Sequence, residues 1–135
     1  MRFMIIVKAT ADSEAGVMPE QRVFDAMADY HQTLRDAGVL LDASGLQPSA
    51  KGWRIKYSGG ARTIVDGPFA ETKELIAGYT LIEVKSRDEG LDWAQRFPNP
   101  GNASGEIEVR QLYELDDLGL SEAVRRFRDI IGHLE

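Results

Sequence analysis

The sequence predicts an α+β fold of the split βαβ, ferredoxin-like kind, carrying an inserted β-hairpin and a C-terminal helix. Three observations carry that reading. Strand patterns at Phe3 to Val7, Gly78 to Val84 and Ile107 to Tyr113 are interleaved with helical periodicity after Pro19 and Ser86. A pair of alternating runs flanks Gly59-Gly60 in the middle of the chain. The 135 residues, 43% hydrophobic and 28% charged, suit one soluble globular domain with a modest core, which sets aside disordered and fibrous classes.

Taken in order, Phe3 to Val7 is a nearly continuous apolar run, as expected for a central strand. Residues 10–18 are small and polar and read as a loop. From Pro19 a helix begins, with Val23, Met27, Tyr30 and Leu34 on one stripe, Phe24 and His31 at its flank, and Gly38 closing it. Val39 opens a second strand that runs toward Leu46. Trp53, Ile55 and Tyr57 alternate with polar neighbours, as do Thr63 and Val65, so the segment between is a hairpin. In the strand from Gly78 to Val84, Tyr79 and Leu81 fall on one face and Thr80, Ile82 and Val84 on the other. Ser86 caps the next helix with Glu89 at capping-box spacing; its stripe is Gly90, Leu91, Ala94 and Phe97, with Trp93 at the edge, and Pro98 stops it. The last strand covers Ile107 to Tyr113, and Ser121 starts a helix whose face is Val124, Phe127, Ile131 and Leu134. Residues 1–115 form the body and residues 116–135 a helical extension of the same domain.

Charge and residue usage narrow the function. Sixteen basic against 22 acidic residues give −6, with the basic ones scattered, so a phosphate backbone is repelled and nucleic acid is not an expected partner. The absence of cysteine removes disulfides, thiolate zinc sites and a cysteine nucleophile, and fits a cytoplasmic setting. No stretch has the length of a signal peptide or a membrane span. His31 and His133 are far apart and no EF-hand, phosphate-binding loop or Gly-x-Ser-x-Gly elbow occurs, so neither a metal nor a cofactor is expected.

Asp66 to Glu74, reading DGPFAETKE, is the densest candidate site. Pro68 forces the chain out of the sheet after Val65 and aims Asp66 and Glu71 at a shared rim. Asp66 is a candidate general base or ligand-binding carboxylate, or an Asx residue holding the turn. Glu71 and Glu74 around Lys73 are an acid/base pair or a solvated ion-pair face. His31, on a helix stripe, is a candidate proton shuttle or a hydrogen-bonded core histidine. Arg110 and Arg62 are candidates to fork a substrate carboxylate, and Tyr79 and Trp53 to line a cavity or fill the core. His133, in the last helical turn, complements the helix dipole.

The DGPFAETKE stretch with Gly78-Tyr79, and less specifically Trp93-Ala94 and Gly45-Leu46-Gln47-Pro48, resembles the DGPF branch of the YCII-related proteins. The likeness runs from Phe3 through Glu108-Val109-Arg110 and leaves out the helix after Leu118. It implies a dimeric α+β barrel, in which two sheets pack face to face around a cavity. Smaller YCII-like proteins resemble catalytic modules in which a histidine and an aspartate meet in a cleft; this chain, whose histidines are His31 and His133, departs from that pattern, and a contact between His31 and Asp66 is geometrically possible. The branch also resembles companions of extracytoplasmic-function sigma factors.

Two functions follow as expectations: a cofactor-free acid/base enzyme acting on a small organic acid, or a non-catalytic ligand-binding or regulatory module. A homodimer through the bare sheet face is expected, with Ile5, Val7, Leu81 and Val109 as its apolar surplus.

Overall fold

The computed structural model describes residues 1–132. His133 and Leu134, assigned above to the end of the last helix, lie outside the described residues. The strands are β1 (Arg2–Lys8), β2 (Leu40–Gly45), β3 (Trp53–Ser58), β4 (Ala61–Asp66), β5 (Ile76–Glu83) and β6 (Ile107–Gln111). The helices are α1 (Ala11–Glu14), α2 (Gln21–Asp36), α3 (Arg87–Gln95) and α4 (Glu122–Ile131). Four strands form one antiparallel sheet in the order β2-β5-β1-β6, the arrangement that two split βαβ units generate. The β3–β4 hairpin forms a separate two-stranded ribbon.

Register decides which side chains meet the helices. Phe3 lies opposite Ile82 and Gln111, and Ile5 opposite Thr80 and Val109, so these residues share a face. On that face Phe3, Ile5, Ile82 and Val84 pack with Tyr30, Leu34, Val39 and Trp93 in one core. Met4, Ile6, Tyr79, Leu81, Glu108 and Arg110 point the other way. Two expectations are corrected here. Ile5, Val7 and Val109 belong to the helix-covered face, so of the four residues named for a dimer only Leu81 is on the open one. Trp93 is central to the core, while Leu91 points outward. Tyr30 draws Trp93 in, because its buried phenol donates to the Trp93 carbonyl at 2.7 Å. Burial pushes the Tyr30 hydroxyl up to about 12, against a smaller opposing pull from Arg96.

Local chemistry explains the ends. Gly38 (φ 75°) closes α2, and Gly59 and Gly60 (φ 53° and 84°) turn the hairpin in a conformation open to glycine. Ser86 and Ser121 accept from the amides of Glu89 and Val124 and cap α3 and α4. The 10–18 segment, expected as loop, contains α1. Thr10 accepts from the Ser13 amide and Ser13 from the Thr10 amide, a reciprocal cap that stabilises one short helix. The final strand stops at Gln111, two residues earlier than expected, and Arg2 forks Glu114 at 3.0 Å beyond it. In α4, Val124 is buried and Arg128 meets Asp116 at 2.9 Å.

Candidate cleft beneath helix α2

A cleft of about 760 Å³ opens at one end of the main sheet. Its floor is the end of β1 at Val7, the end of β2 at Ala43 to Gly45, and the start of β5 at Ala77 to Thr80. Gly78 sits where a Cβ would stand 2.9 Å from the Ser44 carbonyl oxygen, so the floor strands approach closely. One wall is α2, through Val23, Phe24, Met27, Ala28 and His31. Gly16 to Pro19 cover the cleft, and Leu46 to Pro48 and Phe97, Pro100 and Gly101 close its sides. The lining is predominantly apolar, as small-molecule sites are.

His31 lines the cleft with its imidazole fixed from both sides. Its Nδ1 lies 2.7 Å from the Met27 carbonyl oxygen, which can only accept, so Nδ1 carries the proton and donates. Nε2 then accepts from the Thr80 hydroxyl at 2.8 Å. Thr80 is 2% exposed and is the polar member of an otherwise apolar face of β5. Tyr30 and Phe97 hold the imidazole with edge contacts, at ring centroid distances of 5.6 Å and 6.1 Å. Lys8 and Tyr79 also line the cleft, but their charged or polar ends leave it. The Lys8 ammonium is 3.9 Å from Glu108, and the Tyr79 phenol donates to Asp42 at 3.0 Å. That bond and the neighbouring negative charge raise the Tyr79 hydroxyl above its ordinary range. Among the described residues, no aspartate or glutamate lines the cleft.

The other sequence candidates lie apart from His31. Asp66 ends β4, is exposed, and lies outside the cleft lining. Glu71 is likewise exposed, before a single 3₁₀ turn at Thr72–Glu74. Both ring nitrogens of His31 are engaged by Met27 and Thr80, and no His31–Asp66 contact forms. Arg62 stacks on Tyr57 at 5.1 Å on the hairpin. Arg110 pairs with Glu108 at 3.2 Å on the open sheet face, which it shares with Tyr79. Trp53 is exposed on the ribbon and Tyr79 borders the cleft. Among the described residues no group of three metal-ligating side chains forms.

The DGPF turn acts on the cleft indirectly. Gly67, joined to Pro68 by a cis peptide, approaches Ser49 so closely that a Cβ would stand 1.9 Å from the Ser49 carbonyl oxygen. The Phe69 amide donates to Ser49 Oγ at 3.0 Å, and the Ser49 hydroxyl donates to Glu14. The Ser49 amide donates to the same carboxylate at 2.9 Å. Arg54 lies 3.8 Å above the Phe69 ring. The motif therefore fastens the Leu46 to Pro48 wall to the segment covering the cleft. On the opposite rim, Asn102 accepts from the Glu20 amide at 2.7 Å through its side chain, and from Arg22 through its carbonyl.

Sequence reasoning missed Thr80, although a signal was present. A hydroxyl on the same strand face as Ile82 and Val84 must find a partner when buried.

A solved 5-chloro-2-hydroxyhydroquinone dehydrochlorinase from Burkholderia phenoliruptrix AC1100, in complex with 2,5-dihydroxybenzoquinone, is similar in structure with a TM-score of 0.48 and 14% identity. The match covers 84% of this chain and 95% of that one. An uncharacterised protein of Rhizobium meliloti (strain 1021) is 36% identical over 93 residues, which is 69% of this chain and 75% of that protein. The sequence model of the YCII-related domain matches residues 1–116, and the chain belongs to that family.

Proposed function

We propose that this YCII-related protein is a cofactor-free acid/base enzyme in which His31 carries a proton to or from a small organic acid bound in the cleft. The observation that supports it is the His31–Thr80 pair, because both protonation states of the imidazole are satisfied without moving the backbone. Neutral His31 donates from Nδ1 and accepts at Nε2. Thr80 gives its hydroxyl proton to Nε2 while accepting one from the ligand, so one proton enters the pair. The imidazolium then donates from both nitrogens, to the Met27 carbonyl and to Thr80 Oγ1. That cation would face the ligand's new negative charge with no carboxylate among the described lining residues to compete for it. The apolar lining selects a compact, mostly apolar ligand with one acidic group.

The same lining also favours a second reading, a non-catalytic ligand-binding module, regulatory where a sigma-factor partner exists. Solvent deuterium exchange separates the two. A panel of small carboxylic and phenolic acids is incubated in D₂O with wild type and with His31→Gln. The enzyme reading expects wild-type protein to exchange a carbon-bound hydrogen of a bound acid, and His31→Gln to bind that acid with exchange reduced at least about 100-fold. Binding without exchange in wild type would establish the module instead.

A further inference from the structure

Among the described residues that line the cleft, Lys8 alone carries a full charge. An irregularity in the floor puts it there. The pairing of β1 with β5 slips between Val7, opposite Gly78, and Lys8, opposite Ile76, so Ala77 has no partner on β1. A bulge of this kind re-aims the side chains beside it. Val7 and Lys8, which a regular strand would send to opposite faces, accordingly both border the cleft.

The Lys8 side chain is mostly buried, at 18% exposure, and its ion-pair partner is a Glu108 carboxylate oxygen at 3.9 Å. That separation is too long for a hydrogen bond, and among the described residues the ammonium makes none. Glu108 does not depend on it. The other carboxylate oxygen accepts from Arg110 at 3.2 Å, and the side chain is 42% exposed to water. Loss of Lys8 would leave Glu108 paired and hydrated, whereas a mostly buried ammonium gains from an acceptor at bonding distance.

We propose that Lys8 is the anion-binding residue of the cleft, its ammonium exchanging the distant Glu108 for the acidic group of the ligand. The four-carbon stem turns about its own bonds while the Lys8 amide stays bonded to the Glu106 carbonyl at 3.0 Å. In a lining otherwise apolar or neutral, that charge discriminates an anion from its uncharged isostere. Arg110, expected from the sequence to fork the substrate, holds Glu108 instead and so frees Lys8. The assignment rests on the cleft taking a small organic acid, and it requires no proton transfer by His31.

Matched acids and amides test it. Benzoate against benzamide, and hexanoate against hexanamide, are titrated to about 20 mM into wild type, Lys8→Met and Lys8→Arg. Carbon–proton NMR follows the Met27 methyl as the sign of occupancy and the Lys8 ε-methylene as the sign of contact. Wild type is expected to bind at least one acid about tenfold or more tightly than its amide, the margin of one charge-assisted bond. The Lys8 signal should move with the acid and stay still with the amide. Lys8→Met should keep amide binding and lose the preference, and Lys8→Arg should retain part of it. A preference unchanged in Lys8→Met overturns the proposal, as does wild type that binds neither acid. A stationary Lys8 signal with the acid seated overturns it too, and that readout in wild type does not depend on either variant folding. Acid binding that requires Lys8 but brings no exchange of carbon-bound hydrogen would uphold the assignment and reject the catalytic reading.

Discussion

The cleft under α2 and the turn from Asp66 to Glu74 put their polar atoms to opposite uses. In the cleft the lining is predominantly apolar, and half-buried His31 is bonded there to buried Thr80. In the reaction proposed above the proton would pass through that pair. At the turn charge is dense, yet Asp66, Glu71 and Glu74 are exposed and the bonds that matter run from backbone amides through Ser49 to Glu14. Density of ionisable residues marks a surface; scarcity inside an apolar hollow marks a place where one such group can do chemistry.

The largest expected break in that contrast comes from Gly67→Ala. The added methyl collides with the Ser49 backbone, which cannot swing aside as a side chain would, so we expect about 2 kcal/mol of destabilisation or more. Urea midpoints measure it, and an unchanged midpoint would show that the turn yields freely. Thr80→Val comes next. It keeps the shape of the core but removes the donor to Nε2, at an expected cost of about 1–2 kcal/mol. Imidazole ¹⁵N shifts should show a loosened tautomer; a spectrum identical to wild type would remove Thr80 from the pair.

Tyr30→Phe is expected to cost about 1 kcal/mol by removing the phenol's bond to the Trp93 carbonyl, which then keeps the Arg96 amide at 3.2 Å as its donor. Its pH signature has a definite sign. The folded phenol holds its proton up to about 12 while the unfolded one releases it near the ordinary value of 10.0. The associated stability is complete below that lower value and is lost as pH rises toward the upper one. Tyr30→Phe should therefore flatten the alkaline limb of a stability profile, and a limb as steep as wild type would place the titration elsewhere. The smallest effect is assigned to Asp66→Asn. Its carboxylate makes no hydrogen bond or ion pair among the described residues, so stability should stay within about 0.5 kcal/mol and the His31 NMR titration should superimpose on wild type. A displaced curve would couple the turn to the cleft after all.

Much of the architecture was legible because it is written in short-range rules. Ser86 and Ser121 as caps, Gly38 as a terminator and Gly59-Gly60 as a hairpin turn all act within a few residues. Alternation along β5 correctly separated Tyr79 and Leu81 from Thr80 and Ile82. The site was harder, since it depends on which strand faces oppose one another across the chain. Nothing local says that Val109 shares a face with Ile5, or that His31 on α2 meets Thr80, 49 positions away. Asp66 drew attention through its neighbours in sequence, whereas His31 earns its place through neighbours in space. The α1 cap was readable in principle, but a threonine and a serine three apart are too common to stand out without the bonds that join them.

The fastenings around the cleft have a kinetic corollary. The sheet beneath it is held by ladders of backbone bonds, but its mouth is held by a few side chains: Glu14 to Ser49 on one rim and Asn102 to Glu20 and Arg22 on the other. Such clasps release singly, at a fraction of the cost of global unfolding. Amides at 15–18 and 101–104 should thus exchange with deuterium well before those of β1 and β5. Opening there gives a guest a door into the hollow while the floor that positions Thr80 stays shut.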